Sequence, residues 1–262
     1  MSLQSAPKFT TPYGVVHVAT RAQVEQCAAW SACFADHRQD HRYYRIVEDT
    51  IQQGFEYRYF VLEDEKGDAR AVTPLFLLQQ DLLEGAGKKL NRLVGGVRKV
   101  FPKFLYMRTL MVGCAAGEGH LDGDHNGKAT WVATCLHAAL KHYARHARAS
   151  LIVMKEFPST YRQAMNCMSS NGYARIPSFP MTRLQLNYTD FEAYLAGALS
   201  KNARKSLRRN IRTAQAAGPI ELEVVNDVSP IIEEVYPLYL QVYERAHLRF
   251  EKLTKDYLCR LG

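Results

Sequence analysis

No stretch of the 262-residue sequence approaches the roughly 18 to 20 consecutive apolar residues that a membrane-spanning helix needs. Residues Met1 to Thr11 lack the basic segment and apolar core of a secretory leader. The six cysteines (Cys27, Cys33, Cys114, Cys135, Cys167 and Cys259) form no C-x-x-C pair and no short stapling pattern, so they read as reduced packing thiols. These absences point to a cytoplasmic protein. Two metal patterns stay incomplete. Asp122-Gly123-Asp124-His125-Asn126-Gly127 follows the first half of a calcium loop, but its twelfth position is Ala133 instead of Glu, and no helix precedes it. His142 and His146 lie one helical turn apart without the intervening Glu of H-E-x-x-H and without a third ligand. No metal is expected.

What is present is a globular composition, 47% hydrophobic and 11% aromatic, with a formal charge of +8. That charge favours an anionic partner: a cofactor phosphate, a nucleic acid or an anionic membrane.

Hydrophobic period and turn chemistry divide the chain. Gly14 to Thr20 alternates as a strand, Thr20 can cap a helix from Arg21 to about Phe34, and Tyr43 to Gln53 is helical up to Gly54. Glu56 to Leu62 and Ala69 to Leu78 read as an antiparallel hairpin around Asp64-Glu65-Lys66-Gly67-Asp68. Residues 79 to 103 show no period and carry six cations among four glycines, which predicts a mobile basic insertion. Leu105 to Val112 is a strand, Ala129 to His146 a helix with one apolar face, and Ser150 to Lys155 an apolar strand. Ser159 to Ser170 is helical and stops at Asn171-Gly172, and residues 181 to 187 alternate as a last strand. The order predicts a mixed α/β sheet, mostly antiparallel, over residues 1–187. Residues 188–262 then restart the pattern: helical from Asp190 to Ala217, a strand at Ile220 to Val225, and helical from Ser229 to about Leu261, where Pro237 kinks or divides it. The sequence ends before a second sheet could be completed.

Two features carry chemistry. Glu118 and His120, in the loop after the strand at 105–112, set a carboxylate and an imidazole where either could take a proton from an attacking amine or hydroxyl. Further on, Leu195, Leu199, Ala203, Leu207 and Ile211 make an apolar stripe. Around it stand Lys201, Arg204, Lys205, Arg208, Arg209 and Arg212, with no acid between Ser200 and Ala217. That density suits a phosphate-bearing ligand, with Arg204, Arg208 and Arg209 the foremost contacts.

The strand and helix order of residues 14 to 187 resembles the GNAT acyltransferase superfamily. The segment Leu199 to Arg212 is similar to the basic helix joining the halves of tandem GNAT proteins, such as Fem-type peptidyltransferases and cell-envelope acetyltransferases. The resemblance implies a GNAT-like domain followed by a partial second copy. It also implies acyl-CoA, typically acetyl-CoA, as co-substrate, bound by loop amides at Gly113, Gly117 and Gly119, because glycines and a helix N-terminus together favour anions. A tyrosine that protonates the departing thiolate is implied as well, either Tyr161 or Tyr173, with Tyr173 preferred.

The function so implied is acyl transfer from acyl-CoA to an amine or hydroxyl of a small-molecule or cell-envelope acceptor. One alternative is Fem-like transfer from aminoacyl-tRNA. Another is a non-catalytic, anion-binding remnant that contacts nucleic acid or, peripherally, an anionic membrane.

Overall fold

A computed structural model of the chain describes residues 3–35, 37–83, 88–121, 128–178, 184–218, 221–246 and 249–261. One sheet holds six strands in chain order: β1 (Lys8–Thr11), β2 (Gly14–Ala19), β3 (Phe55–Glu63), β4 (Ala69–Asp81), β5 (Tyr106–Val112) and β6 (Leu151–Met154). The first five pair antiparallel. β6 joins β5 in parallel, with Thr109 opposite Leu151 and Val112 opposite Met154. The chain is therefore α/β with a mixed, mostly antiparallel sheet, as its pattern predicts.

Alternation along the strands builds two cores. On one face Val16, Val18, Phe60, Leu62, Leu75, Leu77, Leu110 and Val112 pack against the apolar stripe of the long helix that follows β5, at Lys128–His146. On the other, Val61, Val72, Phe76 and Met111 meet α1 (Arg21–Val24), α2 (Ala28–Ala32) and α3 (His41–Thr50). Each fully buried leucine or phenylalanine contributes about 1.5–3 kcal/mol. Asp40 starts α3 by accepting from the Arg42 and Tyr43 amides at 2.9 and 3.4 Å. α4 (Lys88–Arg98) lies between β4 and β5. α5 (Lys128–His146) forms the crossover that a parallel pair requires.

Several local expectations change. The helix anticipated from Arg21 to Phe34 is two short helices. They are Arg21–Val24 and Ala28–Ala32, broken between Glu25 and Cys27, and each turns one large apolar residue, Val24 and Trp30, into the core. The basic insertion is a helix, α4, whose period is hidden by Gly95 and Gly96. Residues 159–170 split into a 3-10 turn (Ser159–Arg162) and α6 (Asn166–Ser169), and Gly172 ends this segment at φ +92°. No strand forms at 184–187 or at 221–225, and residues 181–183 and 220 lie outside the described residues. Leu186 and Leu222 are 76% and 90% exposed; alternation without a partner strand or a covering face does not hold a strand.

The chain forms two compact units, Met1–Ile176 with Asp227–Gly262, and Pro177–Asn226. This division differs from the anticipated boundary after residue 187. The smaller unit holds α7 (Phe191–Ala198) and α8 (Lys201–Ala217), separated at Leu199-Ser200, with Ser200 capping α8. α9 (Ile232–Arg245), which runs through Pro237, and α10 (Lys255–Leu261) belong to the larger unit. Arg260 reaches Asp49 of α3 at 2.8 Å. Among the described residues no helix is long and apolar enough to cross a membrane.

Candidate functional site

In mixed α/β sheets the carboxyl ends of parallel strands are where ligand-binding crevices form. β5 and β6 are the parallel pair here, and residues 113–121 fold across their ends. The Lys155 amide donates to the Val112 carbonyl at 2.9 Å, and the Gly119 amide to the Glu156 carbonyl at 3.2 Å, so loop and strand end are stitched together. Gly113 and Gly117 sit at φ +122° and +153°, where a side chain is strained. A Cβ on Gly119 would lie 2.5 Å from the Lys155 carbonyl oxygen and 2.6 Å from the Phe157 ring. Cys114, Ala115 and Ala116 are buried beneath, and the Tyr43 hydroxyl bonds the Ala116 carbonyl and lies 2.7 Å from the Tyr257 hydroxyl of α10. Over its described part the loop is held on three sides.

Above it the His120 ring stands 4.6 Å from the His37 ring and 6.4 Å from Tyr161. Phe34, at φ +60° and buried, turns the chain that brings His37 there. The Tyr161 hydroxyl donates to the Leu121 carbonyl at 3.1 Å. At the end of β6, Lys155 donates to the Gly117 carbonyl at 3.0 Å and to the Glu156 carboxylate at 2.6 Å, and its ammonium lies 5.2 Å from the centre of the Phe250 ring. Glu156 adopts φ +51°. Burial raises the Glu251 carboxyl above the ordinary glutamate range against the opposing pull of Lys155. Burial also pushes the Cys114 thiol up to about 12, which removes it as a nucleophile at neutral pH.

The anticipated residues are therefore partly assembled. Gly113, Gly117, Glu118, Gly119 and His120 share the loop, with Glu118 and His120 half-buried. Tyr173 has a different setting: its ring contacts His137 of α5 at 6.2 Å, and burial raises its phenol. Tyr161, the other tyrosine weighed, is the one beside His120. Arg204, Arg208 and Arg209 lie on α8 of the smaller unit. Arg204 donates to the Ala196 carbonyl at 3.1 Å and Arg208 to the Glu192 carboxylate, while Arg209 is exposed. The half calcium loop, residues 122–127, lies outside the described residues. His142 and His146 pack against Phe9 and Tyr143. No metal-holding cluster occurs among the described residues.

His37, Lys155, Glu156 and Glu251 escape sequence reasoning. His37 follows a turn with no period. Lys155-Glu156 does carry a signal, a charged pair ending an apolar strand. Glu251 is brought in from the far end of the chain.

A phosphate cradle needs amides that point outward. The Gly113 amide is taken by the Pro74 carbonyl at 2.9 Å and the Gly119 amide by Glu156, so these two glycines serve close packing and do not fit that cradle. The first turn of α5 opens on Lys128 and carries no acid, and the positive end of a helix favours anions.

No family model matches the chain, and no curated protein matches it. Among solved structures, a tetramutant and a single-substitution mutant of the BH1408 protein from Bacillus halodurans align with TM-scores of 0.39 and 0.37. Identity is 11% and 13%, over 64% of this chain and 99% of the other in each case. Likenesses this distant carry no weight for function.

Proposed function

We propose that the chain is an acyltransferase that moves an acyl group from acyl-CoA to an amine or hydroxyl, with its reacting groups at the carboxyl ends of β5 and β6. The observation that carries this reading is the His37–His120 pair, 4.6 Å apart, held over the end of the parallel strands by an anchored loop. Acyl-CoA would bring a thioester already activated toward attack. This chain's own contribution is proton handling and positioning. His120 takes the proton of the attacking amine or hydroxyl. Tyr161 replaces Tyr173 as the phenol beside the reacting groups. The first turn of α5, with Lys128, holds the donor's phosphates.

The test is release of free thiol from acetyl-CoA and longer acyl-CoAs in the presence of a panel of amine and hydroxyl acceptors. His120→Asn is expected to lower turnover by roughly 10²- to 10⁴-fold, the usual loss for a general base. Tyr173→Phe should leave it unchanged. Equal turnover in His120→Asn and the parent chain would remove His120 from the reaction.

The exposed cations of α8 favour a second reading, transfer from aminoacyl-tRNA to a cell-envelope precursor. It requires tRNA binding that weakens with salt and with Arg209→Glu.

A further inference from the structure

Between β4 and β5 the chain holds apolar side chains in water. Val100 is 72% exposed, Phe101 64% and Phe104 42%. The segment is not loose. The Val100 and Phe101 amides both donate to the Val97 carbonyl, at 3.0 and 2.9 Å, the Phe104 amide to Phe101 at 2.9 Å and the Tyr106 amide to Lys103 at 3.0 Å. Arg98 clamps it from below, with two bonds to the Asp81 carboxylate at 2.8 and 2.6 Å, one to the Phe104 carbonyl at 2.9 Å, and its guanidinium 4.4 Å from the centre of the Tyr106 ring. A tip fixed in this way cannot fold Phe101 inward. Ordered apolar groups facing water mark a surface made for a partner.

The charge around the tip says which partner. No carboxylate occurs between Glu84 and Glu118, and Arg92, Lys99 and Lys103 are exposed around the apolar side chains. Lys103 also lines a neighbouring cleft of about 650 Å³, together with Arg58, Arg108, His146 and Arg148. Glu56 is the one carboxylate among the lining residues, and it is shared between Arg58 and Arg108 at 2.8 Å each, so the cleft stays positive. A convex tip of valine and phenylalanine ringed by lysine and arginine matches the boundary between acyl chains and anionic headgroups. A nucleic acid would use the cations and leave Val100 and Phe101 in water.

The geometry points to a membrane-docking face: Val100, Phe101 and Phe104 enter the interface of an anionic bilayer, Arg92 and Lys99 meet its headgroups, and Lys103 with the basic cleft receives one headgroup phosphate. The face lies at the amino end of β5, opposite the His37–His120 pair, and does not rest on the acyl-transfer reading.

The test is co-sedimentation of the full chain with phosphatidylcholine vesicles, with and without phosphatidylglycerol. A Phe101→Trp variant serves as reporter. Retention on the anionic vesicles is expected, with the emission of Trp at 101 shifting to the blue as the tip leaves water. Phe101→Asp and the double change Lys99→Glu, Lys103→Glu should each weaken retention roughly tenfold or more at unchanged melting temperature. Arg209→Glu on α8 should leave it intact. Equal retention on neutral and anionic vesicles, or loss with Arg209→Glu alone, would overturn the proposal. So would retention that Phe101→Asp does not affect but competing RNA abolishes, since that is polyanion binding.

Discussion

At Gly119 a single methyl group separates a closed loop from a displaced one. Its Cβ would meet the Lys155 carbonyl and the Phe157 ring, so Gly119→Ala should cost about 2 kcal/mol or more, read as a lower denaturant midpoint. Gly95 is the opposite case. Nothing lies within 4 Å of its Cβ position and it sits inside α4, so Gly95→Ala should add about 0.5–1 kcal/mol. Equal effects at the two positions would contradict the account of the loop. The sequence shows glycines in both places and cannot separate them, because the distinction lies in what β6 brings alongside. Glu251 adds a pH dependence. Burial lifts its folded-state value, so the folded chain keeps a proton that the unfolded chain has released. Its stabilising contribution is complete below about pH 4.3 and is lost as pH rises through the raised value. Glu251→Gln should flatten that part of the stability profile in guanidinium unfolding; Glu48, raised by burial as well, keeps some slope. An unchanged profile would place Glu251 in water.

The elements differ in how clearly the sequence announces them. α5 is plain, because its apolar residues recur every three or four positions over nineteen residues and meet one face of the sheet. β2 to β5 are plain for the matching reason, alternation bounded by turn residues. α4 is hidden by its two glycines, and the segments at 184–187 and 221–225 mimic strands while lacking any strand to pair with. The candidate site was legible as the loop from Gly113 to His120 and, as one of two tyrosines weighed, Tyr161. Its other half, His37, depends on the left-handed turn at Phe34. α10 also acts at a distance, since Tyr257 meets Tyr43 at the hydroxyl that bonds the Ala116 carbonyl. Tyr257→Ala should therefore speed amide hydrogen exchange across Cys114 to Gly119 without altering exchange in α5. Exchange that stays slow in the loop would mean that β6 alone holds it.

For the whole molecule, the net charge of +8 includes the cations of α8 in the smaller unit and those of the α4 tip and its neighbouring cleft in the larger. The His37–His120 pair stands at the other end of β5 from that tip. Composition alone could report the sign of the partner and not its number or place. Calorimetric titration of the full chain with acetyl-CoA and longer acyl-CoAs, repeated with Lys128→Glu and Arg209→Glu, tests the central claim most directly. Saturable binding that Lys128→Glu weakens and Arg209→Glu preserves is the predicted result. Absence of heat with every acyl-CoA, from a chain whose melting is cooperative, would contradict it.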